Sequence, residues 1–425
     1  MQFMSRAQTA RKSTLFMNAL FLMVSTFAIG VSGFIFWVLI TRSYEATAVG
    51  LATTLLSVSG LVSLLGLAGF DTTFVRFLPG TTRKNDYTNS GFTIVAFVSG
   101  GLAVCVATVL PFISPNLAIL SGDWAFVAFV FFTMVSSLST LVSAVFLAYK
   151  QAKYILIISL VLGGAKILLP LLTASGNAMT IFVIAGIAQL AGLVCGLIWM
   201  RRKFGYAFSV LFDVRVLQAA RKFSFSMYAS SILNLLPPTI LPLLVVHLMG
   251  PANAAYYYMA FTIAGALYTI AYASMQSVFA EGSHNEAAIR AHVIKALKLV
   301  AILLFPAALL TAALASFFLG WFGHAYAQQA TALLQLFALG AVPVAIYSAM
   351  GAIFKVTKNL GGIVCMNAVY AVVTLGAAYW LTPTLGLVAI GTAWIIGNIA
   401  ACGIGALFLL NGNKERKENI YGKTS

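Results

Sequence analysis

Long apolar stretches separated by short polar connections run along the whole chain. Each stretch is close to the roughly 20 residues that a helix needs to cross a lipid bilayer. The pattern predicts twelve membrane-spanning helices, with boundaries near residues 15–40, 48–70, 91–113, 124–147, 154–173, 179–200, 224–249, 254–280, 293–320, 331–354, 360–381 and 385–410. The expected fold is therefore an all-α polytopic membrane protein.

Composition supports this reading, because 61% of the 425 residues are hydrophobic and only 8% are charged. A soluble globular domain has about 25% charged residues. The net charge of +16 does not indicate a nucleic-acid partner, since the basic residues lie at the ends of spans without interleaved aromatic residues. Membrane lipids are the expected partners of these charges.

The basic residues fall on alternate connections. All but two of the 25 lysines and arginines lie at the termini or in the second, fourth, sixth, eighth and tenth loops. By the positive-inside rule, the N- and C-termini are expected to be cytoplasmic. The exceptions are Arg42, after the first span, and Lys166, inside the fifth.

An internal repeat is suggested when the chain is aligned on itself, because the second six spans can be placed on the first without gaps. The alignment pairs Lys150 and Lys153 with Lys355 and Lys358. It also superimposes a shared V-x2-G-x-A-x3-G pattern that begins at Val183 and again at Val388. Chance similarity between leucine-rich helices is the alternative.

A duplication of six spans predicts two six-helix lobes related by a pseudo-two-fold axis along the membrane normal. The expected division is an N-terminal lobe at 1–200, a cytoplasmic linker at 201–223, a C-terminal lobe at 224–411 and a cytoplasmic tail at 412–425. Within the linker, Asp213 is a candidate cap for a short surface helix over 217–222.

Polar residues inside two spans are candidates for a transport pathway. In the eighth span, a helical spacing places one set of residues on a single face, which either lines a cavity or bonds to other helices: Tyr258, Thr262, Gly265, Thr269, Tyr272 and Gln276. In the seventh span, Asn234 precedes Pro237, Pro238 and Pro242. Each proline removes a backbone hydrogen bond, so this helix is expected to bend or break, either as a static kink or as a hinge.

Lys166 lies too deep in its span to reach the cytoplasmic end easily, so it either extends toward the outer interface or faces a watered cavity and binds an anion. Arg42 is either an interfacial anchor or an attractor of anionic headgroups. No nucleophile, metal or nucleotide signature is recognisable, the outer loops are short, and the four cysteines lack paired spacing. No cofactor or metal is expected, and transport is favoured over catalysis.

Several segments resemble the O-antigen type polysaccharide flippases of the multidrug/oligosaccharidyl-lipid/polysaccharide (MOP) exporter superfamily. They are GLAGFDTTFVRFLP at 66–79, FD at 212–213 leading through RKF at 221–223, LMGPANAAYYY at 248–258 and FAEGS at 279–283. In the first and last of these, the resemblance makes Asp71, Arg76 and Glu281 candidates for a cytoplasmic gate. Many relatives carry a charged residue inside the seventh span, where this chain has Leu241 and Pro242.

The resemblance implies a V-shaped pair of lobes in the bacterial inner membrane that moves a polyprenyl-pyrophosphate-linked oligosaccharide from the cytoplasmic to the outer leaflet, for surface polysaccharides such as the O-antigen of lipopolysaccharide. Polysaccharide-assembly proteins would be further partners. An exporter of small molecules or drugs on the same scaffold is the nearest alternative, and a polysaccharide polymerase or ligase is a more distant one.

Overall fold

A computed structural model describes residues 2–173, 176–282 and 289–421, with side chains except in 2–16, 214–229, 276–282, 289–292 and 411–421. Regular structure in the described residues is helical throughout. The α-helices are α1 (Gln2–Ser43), α2 (Ala46–Leu67), α3 (Phe70–Phe77), α4 (Lys84–Ile113), α5 (Asp123–Ala148), α6 (Ala152–Leu171), α7 (Ala178–Phe204), α8 (Val214–Met249), α9 (Pro251–Gly282), α10 (Ile289–Ala313), α11 (Ala315–Gly320), α12 (His324–Leu339), α13 (Ala341–Val356), α14 (Leu360–Leu385) and α15 (Val388–Tyr421).

The prediction of an all-α polytopic membrane protein is confirmed. Among the described residues, eleven helices are long and apolar enough to cross a membrane, and the bent pair α12 and α13 supplies a twelfth span. The chain divides into two compact units, Met1–Phe225 and Ser226–Ser425, which we call unit 1 and unit 2. Each unit contains six of these spans, as the two-lobe prediction requires.

The tenth span departs from the prediction of one continuous helix over 331–354. It is broken near Gly340, where α12 and α13 meet at an angle of 41°. Pro343 explains the break, because it has no N–H to donate to the carbonyl of Leu339 and its ring crowds that carbonyl. The hydroxyl of Tyr268 donates to the carbonyl of Phe337 at 2.8 Å and so satisfies a backbone group next to the break.

The seventh span departs from the prediction in the opposite direction. Pro237, Pro238 and Pro242 lie inside α8, which is continuous from Val214 to Met249. The helix is therefore not broken, and no separate surface helix ends near residue 222. A bend or hinge at the prolines remains a prediction. Local hydrogen bonding supports the helix beside the prolines, where the hydroxyl of Thr239 donates to the carbonyl of Leu235 at 2.6 Å.

The internal duplication is visible in two identical turns, one after α5 and one after α13. Lys150 and Lys358 both adopt a left-handed conformation with φ of 55°. In each turn the lysine N–H donates to a carbonyl three residues earlier, and the N–H of the next residue donates to a carbonyl five residues earlier. Because left-handed geometry is uncommon for a residue with a Cβ, its recurrence in both turns indicates a common origin.

These turns correct the register of the repeat. The predicted register pairs Lys150 with Lys355, whereas the matching backbone geometry pairs Lys150 with Lys358. We call this second pairing the longer register, since it is offset by three further residues. In it, Lys355 corresponds to Leu147, because each supplies the carbonyl that accepts from the left-handed lysine.

Contacts in the second halves of the sixth and twelfth spans agree with the longer register. A Cβ on Gly196 would meet Val142 and Ile158, and a Cβ on Gly405 would meet Met350 and Met366. These methionines are the counterparts of Val142 and Ile158 in the longer register, and the two glycines are offset by one residue more. The predicted gap-free alignment therefore does not hold in the second halves of these spans.

The first span of each unit keeps the predicted register, which pairs Ser25 with Ser230. In unit 1 the hydroxyls of Ser25 and Ser159 are hydrogen-bonded at 2.6 Å, with a sequence separation of 134. In unit 2 the amide of Asn367 donates to the hydroxyl of Ser230 at 2.8 Å, with a separation of 137. The same interhelical contact thus occurs in both units, and the second copy contains three additional residues between the first and fifth spans.

Candidate functional site

A cavity of about 630 Å³ lies within unit 2. Four helices, α8, α9, α13 and α14, contribute its walls. The lining is mixed, with serine, asparagine and tyrosine side chains beside methionine, leucine and isoleucine. The lining residues are Ser230, Ser231, Asn234, Leu235, Tyr272, Met275, Tyr347, Ser348, Gly351, Ala352, Lys355, Ile363, Met366 and Asn367.

A chain of hydrogen bonds joins three of these helices. The amide of Asn234 on α8 donates to the hydroxyl of Tyr347 on α13 at 2.7 Å. That hydroxyl donates in turn to the side-chain oxygen of Asn367 on α14 at 2.5 Å. The amide of Asn367 completes the chain by donating to the carbonyl and hydroxyl of Ser230, both at 2.8 Å. Each internal member of the chain is used as both donor and acceptor, which fixes the rotamers of the polar wall.

Aromatic packing behind this wall holds Tyr347 in place. Its ring lies 5.2 Å from that of Tyr370, which in turn contacts Trp394 at 5.7 Å. Trp394 is stacked on Tyr268 with an interplanar angle of 7°. Tyr268 also bonds to the break between α12 and α13. The broken tenth span and the cavity wall are therefore connected through one cluster of rings.

The cavity has a positive electrostatic character. Lys355 is the only ionisable basic residue in the described lining, and that lining contains no carboxylate. The hydroxyl of Ser348 is buried and has no hydrogen-bond partner in the described part of the chain. An ammonium, amides and hydroxyls together suit a ligand that carries both hydroxyl groups and an anionic group.

The predicted polar face of α9 contributes one residue to the cavity, Tyr272. Thr262 and Thr269 instead donate to the carbonyls of their own helix four residues earlier, at 2.8 and 2.9 Å. A Cβ on Gly265 would meet no atom within 4 Å. Between these threonines α9 thus presents open surface within unit 2. Among the residues whose side chains are described, their hydroxyls form no interhelical bond. Tyr258, at the start of the same face, is partly buried.

Gln276, at the far end of this face, and Glu281, a gate candidate, lie in α9 outside the residues whose side chains are described. The other gate candidates lie on α3 of unit 1. There Asp71 is partly buried and Arg76 is exposed, with its guanidinium 5.4 Å from the ring of Phe77. The gate remains a prediction.

The two cations singled out by sequence both lie in unit 1. Lys166 is on α6, and its ammonium lies 5.9 Å from the ring centroid of Phe36 on α1. An aromatic face is a favourable neighbour for a cation that is partly withdrawn from water. Arg42 is exposed in the last turn of α1. Neither residue lies in the cavity of unit 2, so their binding roles remain predictions.

The sequence analysis identified Asn234 and Tyr272 as candidate pathway residues, and both line this cavity. It did not identify Tyr347, Asn367 and Lys355. Asn367 carried a usable signal, because an amide inside an apolar span needs a polar neighbour. Lys355 was obscured by its position, since a lysine at the end of a span is usually an interfacial residue.

Comparisons with known proteins agree with this architecture. A family model described as "Polysaccharide biosynthesis protein" matches residues 39–331. An inward-facing multidrug resistance MATE family transporter of the MOP superfamily is similar in structure with a TM-score of 0.73 and 14% identity, covering 96% of this chain and 99% of that one. No curated protein matches the sequence.

A second similar structure is the lipid II flippase MurJ in an inward closed conformation. Its TM-score is 0.74 at 14% identity, with 92% of this chain and 87% of that chain covered. An outward-facing MATE family transporter has a lower TM-score of 0.62 at the same identity. At such identities the likeness establishes the fold.

Proposed function

The chain belongs to the polysaccharide biosynthesis protein family and has the fold of the MOP superfamily transporters, and from these premises we propose that it is a flippase for a lipid-linked oligosaccharide. It moves a polyprenyl-pyrophosphate-linked oligosaccharide from the cytoplasmic to the outer leaflet by alternating access. The product serves surface polysaccharide synthesis, such as that of the O-antigen of lipopolysaccharide.

The observation that carries the proposal is the chemistry of the cavity in unit 2. Sugars present many hydroxyl groups that pair with amides and hydroxyls, and the lining offers the side chains of Asn234 and Ser348. Aromatic side chains such as Tyr272 suit the apolar faces of sugar rings. Lys355 supplies a positive charge for a pyrophosphate or an acidic sugar. A cavity for an apolar compound alone would not need this polar wall.

The same proposal includes the location and the partners. The protein resides in the bacterial inner membrane with both termini in the cytoplasm, as the distribution of basic residues favours. Its substrate is the lipid-linked oligosaccharide, and its neighbours are membrane lipids and polysaccharide-assembly proteins. It acts by transport and does not itself transfer glycan.

A reconstituted system tests the proposal. The purified full-length chain is placed in liposomes with lipid-linked oligosaccharides prepared from cells that lack the transporter, and movement is followed by access of a membrane-impermeant glycan-binding protein. Lys355→Gln should lower the initial rate at least tenfold, since a hydrogen bond to a charged group contributes about 1.5–3 kcal/mol. Flipping by the unmodified chain that does not exceed the protein-free liposomes would overturn the proposal.

Lys358→Gln is the matched control. It removes the same charge three residues further along, in the left-handed turn after α13, at a position outside the cavity lining. Its rate should stay within about twofold of the unmodified chain. Equal losses in both variants would show that Lys355 acts only through surface charge. Export of cationic drugs without movement of the lipid would favour the drug-exporter alternative.

A further inference from the structure

A second candidate site lies on the face of α7 that points away from the rest of unit 1. A shallow groove of about 650 Å³ follows this helix. Its lining includes Ile187, Ala191, Val194, Ile198 and Arg202, spaced by three or four residues and therefore on one face. Ile187, Val194 and Ile198 are each more than 40% exposed within the protein. The groove is apolar for most of its length and ends at a cation.

Two tilted aromatic rings lie at this end of the groove, each with a cation beside it. The guanidinium of Arg202 lies 6.0 Å from the ring centroid of Trp199. Trp199 contacts the ring of Tyr154 at 4.9 Å, and the ammonium of Lys153 lies 5.0 Å from Tyr154. Two cations from α6 and α7 are thus gathered beside a pair of packed aromatic rings.

We propose that this groove binds an anionic glycerophospholipid, with an acyl chain along α7 and the headgroup phosphate between Lys153 and Arg202. The length of the groove matches a lipid that occupies a single leaflet. Ile187 and Arg202 are about 22 Å apart at 1.5 Å per residue, compared with about 15 Å for half of a typical hydrocarbon core. The groove is therefore long enough to cover the hydrocarbon of one leaflet and its interface.

Charge complementarity selects the headgroup. Trp and Tyr at the end of a span are typical of the membrane interface. Arg202 lines the groove, and the described lining contains no carboxylate. Lys153, beside Tyr154, adds the second cation. A zwitterionic lipid would bring its own ammonium beside Lys153 and Arg202. This site is on a different unit from the cavity of the proposed function, and its occupation does not depend on the transported substrate.

Native mass spectrometry of the full-length protein, released from nanodiscs of equal phosphatidylglycerol and phosphatidylcholine, tests the headgroup. Retained phosphatidylglycerol should exceed phosphatidylcholine. A basic side chain near an anionic surface contributes about 1 kcal/mol, so Lys153→Gln and Arg202→Gln should each lower the retained phosphatidylglycerol about fivefold. Equal retention of both lipids by the unmodified chain would overturn the assignment.

A charge-matched variant separates a site from general attraction. Arg201→Gln with Lys203→Gln removes the same net charge as Lys153→Gln with Arg202→Gln, from residues of the same helix end that lie outside the groove. The proposal requires that the first pair retain phosphatidylglycerol close to the unmodified level. Equal losses of phosphatidylglycerol in the two double variants would show that general surface charge, and not a specific site, binds the lipid.

The acyl chain has its own test. Val194→Trp fills the middle of the groove and should displace phosphatidylglycerol, while the cations remain. Val109→Trp makes the same change at a residue of α4 that is 45% exposed and outside the groove. Both variants are first checked for a monodisperse elution profile. If a well-folded Val194→Trp variant retained as much phosphatidylglycerol as the unmodified protein, the groove would be excluded as the binding site of the acyl chain.

Discussion

The hydroxyl of Tyr347 provides a quantitative test of the cavity wall. Tyr347→Phe keeps the ring, and with it the contact to Tyr370, but removes two hydrogen bonds. The amide of Asn234 loses its acceptor and the side-chain oxygen of Asn367 loses its donor. Asn367 is only 5% exposed, so water is not expected to replace the lost donor without a rearrangement.

The magnitude follows from the environments of the two asparagines. Asn234 is the more exposed of the two on the cavity wall, so water can pair with its amide and the loss of its acceptor should cost little. Asn367 is left with an unpaired buried oxygen, which costs about 1–3 kcal/mol. Hydrogen bonds between membrane helices average about 0.6 kcal/mol, which favours the lower part of this range. We expect a destabilisation of about 1 kcal/mol.

Tyr257→Phe is an isosteric control of opposite sign. Tyr257 is fully buried, and its hydroxyl has no hydrogen-bond partner among the described residues. Removing a buried polar group without a partner relieves a desolvation penalty. The melting temperature of Tyr257→Phe should therefore be unchanged or higher, although each of the two substitutions removes a single phenol hydroxyl.

The melting temperature in detergent, followed by thiol-reactive or intrinsic fluorescence, measures both variants. For a unit of this size, 1 kcal/mol corresponds to a shift of about 2–4 °C, so Tyr347→Phe should melt about 2–4 °C lower. A melting temperature for Tyr347→Phe equal to that of Tyr257→Phe would show that the hydrogen-bond chain does not stabilise unit 2, and the account of the polar wall would fail.

Three further predictions concern packing, pH and transport. Gly397→Ala should lower the melting temperature by several degrees, because its Cβ would overlap Thr374, whereas Gly403→Ala meets no atom within 4 Å and should be neutral or stabilising. Burial raises the pKa of Tyr206, outside the spans, to about 12, so the folded state prefers the neutral phenol. The stability that the neutral phenol contributes to the folded state is fully present below pH 10 and is lost as the pH rises from 10 to 12. Melting curves across this range should be less pH-dependent for Tyr206→Phe. Lys166→Ala should lower flipping in the liposome assay without reducing membrane insertion, and full complementation of a flippase-deficient strain by this variant would contradict its role.

The number of spans and most of their boundaries could be predicted, because each apolar run independently specifies a helix in a bilayer. The broken tenth span was missed for a local reason. Pro343 lies at the third position of α13, where it interrupts hydrogen bonding to the preceding turn. In the seventh span three prolines had the opposite outcome, and α8 continues through them. A proline therefore marks a lost hydrogen bond, while its neighbours determine whether the helix breaks.

The cavity could be predicted only in part because its polar wall is assembled from distant segments. Asn234 and Tyr347 are 113 residues apart, and Ser230 and Asn367 are 137 residues apart. Helical periodicity assigns a residue to a face of its own helix, but it does not state which other helix that face meets. The spacing on α9 thus pointed to Tyr272, which lines the cavity, and equally to threonines that do not.

The register of the repeat shows a related limit. A shift by three residues moves a helix by nearly one turn, so the same face of an apolar span is presented in both registers. Matches of small residues in the predicted register were therefore not evidence against the longer one. Backbone geometry distinguished the two, since only the longer register pairs the left-handed Lys150 with the left-handed Lys358.

The corrected register also indicates how the two units came to differ. At equivalent places, unit 1 has the Ser25–Ser159 contact where unit 2 has the bond between Ser230 and Asn367. An amide is longer than a hydroxyl and carries both donors and an acceptor, so Asn367 can bond onward to Tyr347, which Ser159 cannot reproduce. The polar wall of unit 2 thus rests on a substitution within a contact that both units share. The fold accommodates the cavity, whereas the side chains of the second copy give it the chemistry on which the proposed recognition of a glycan depends.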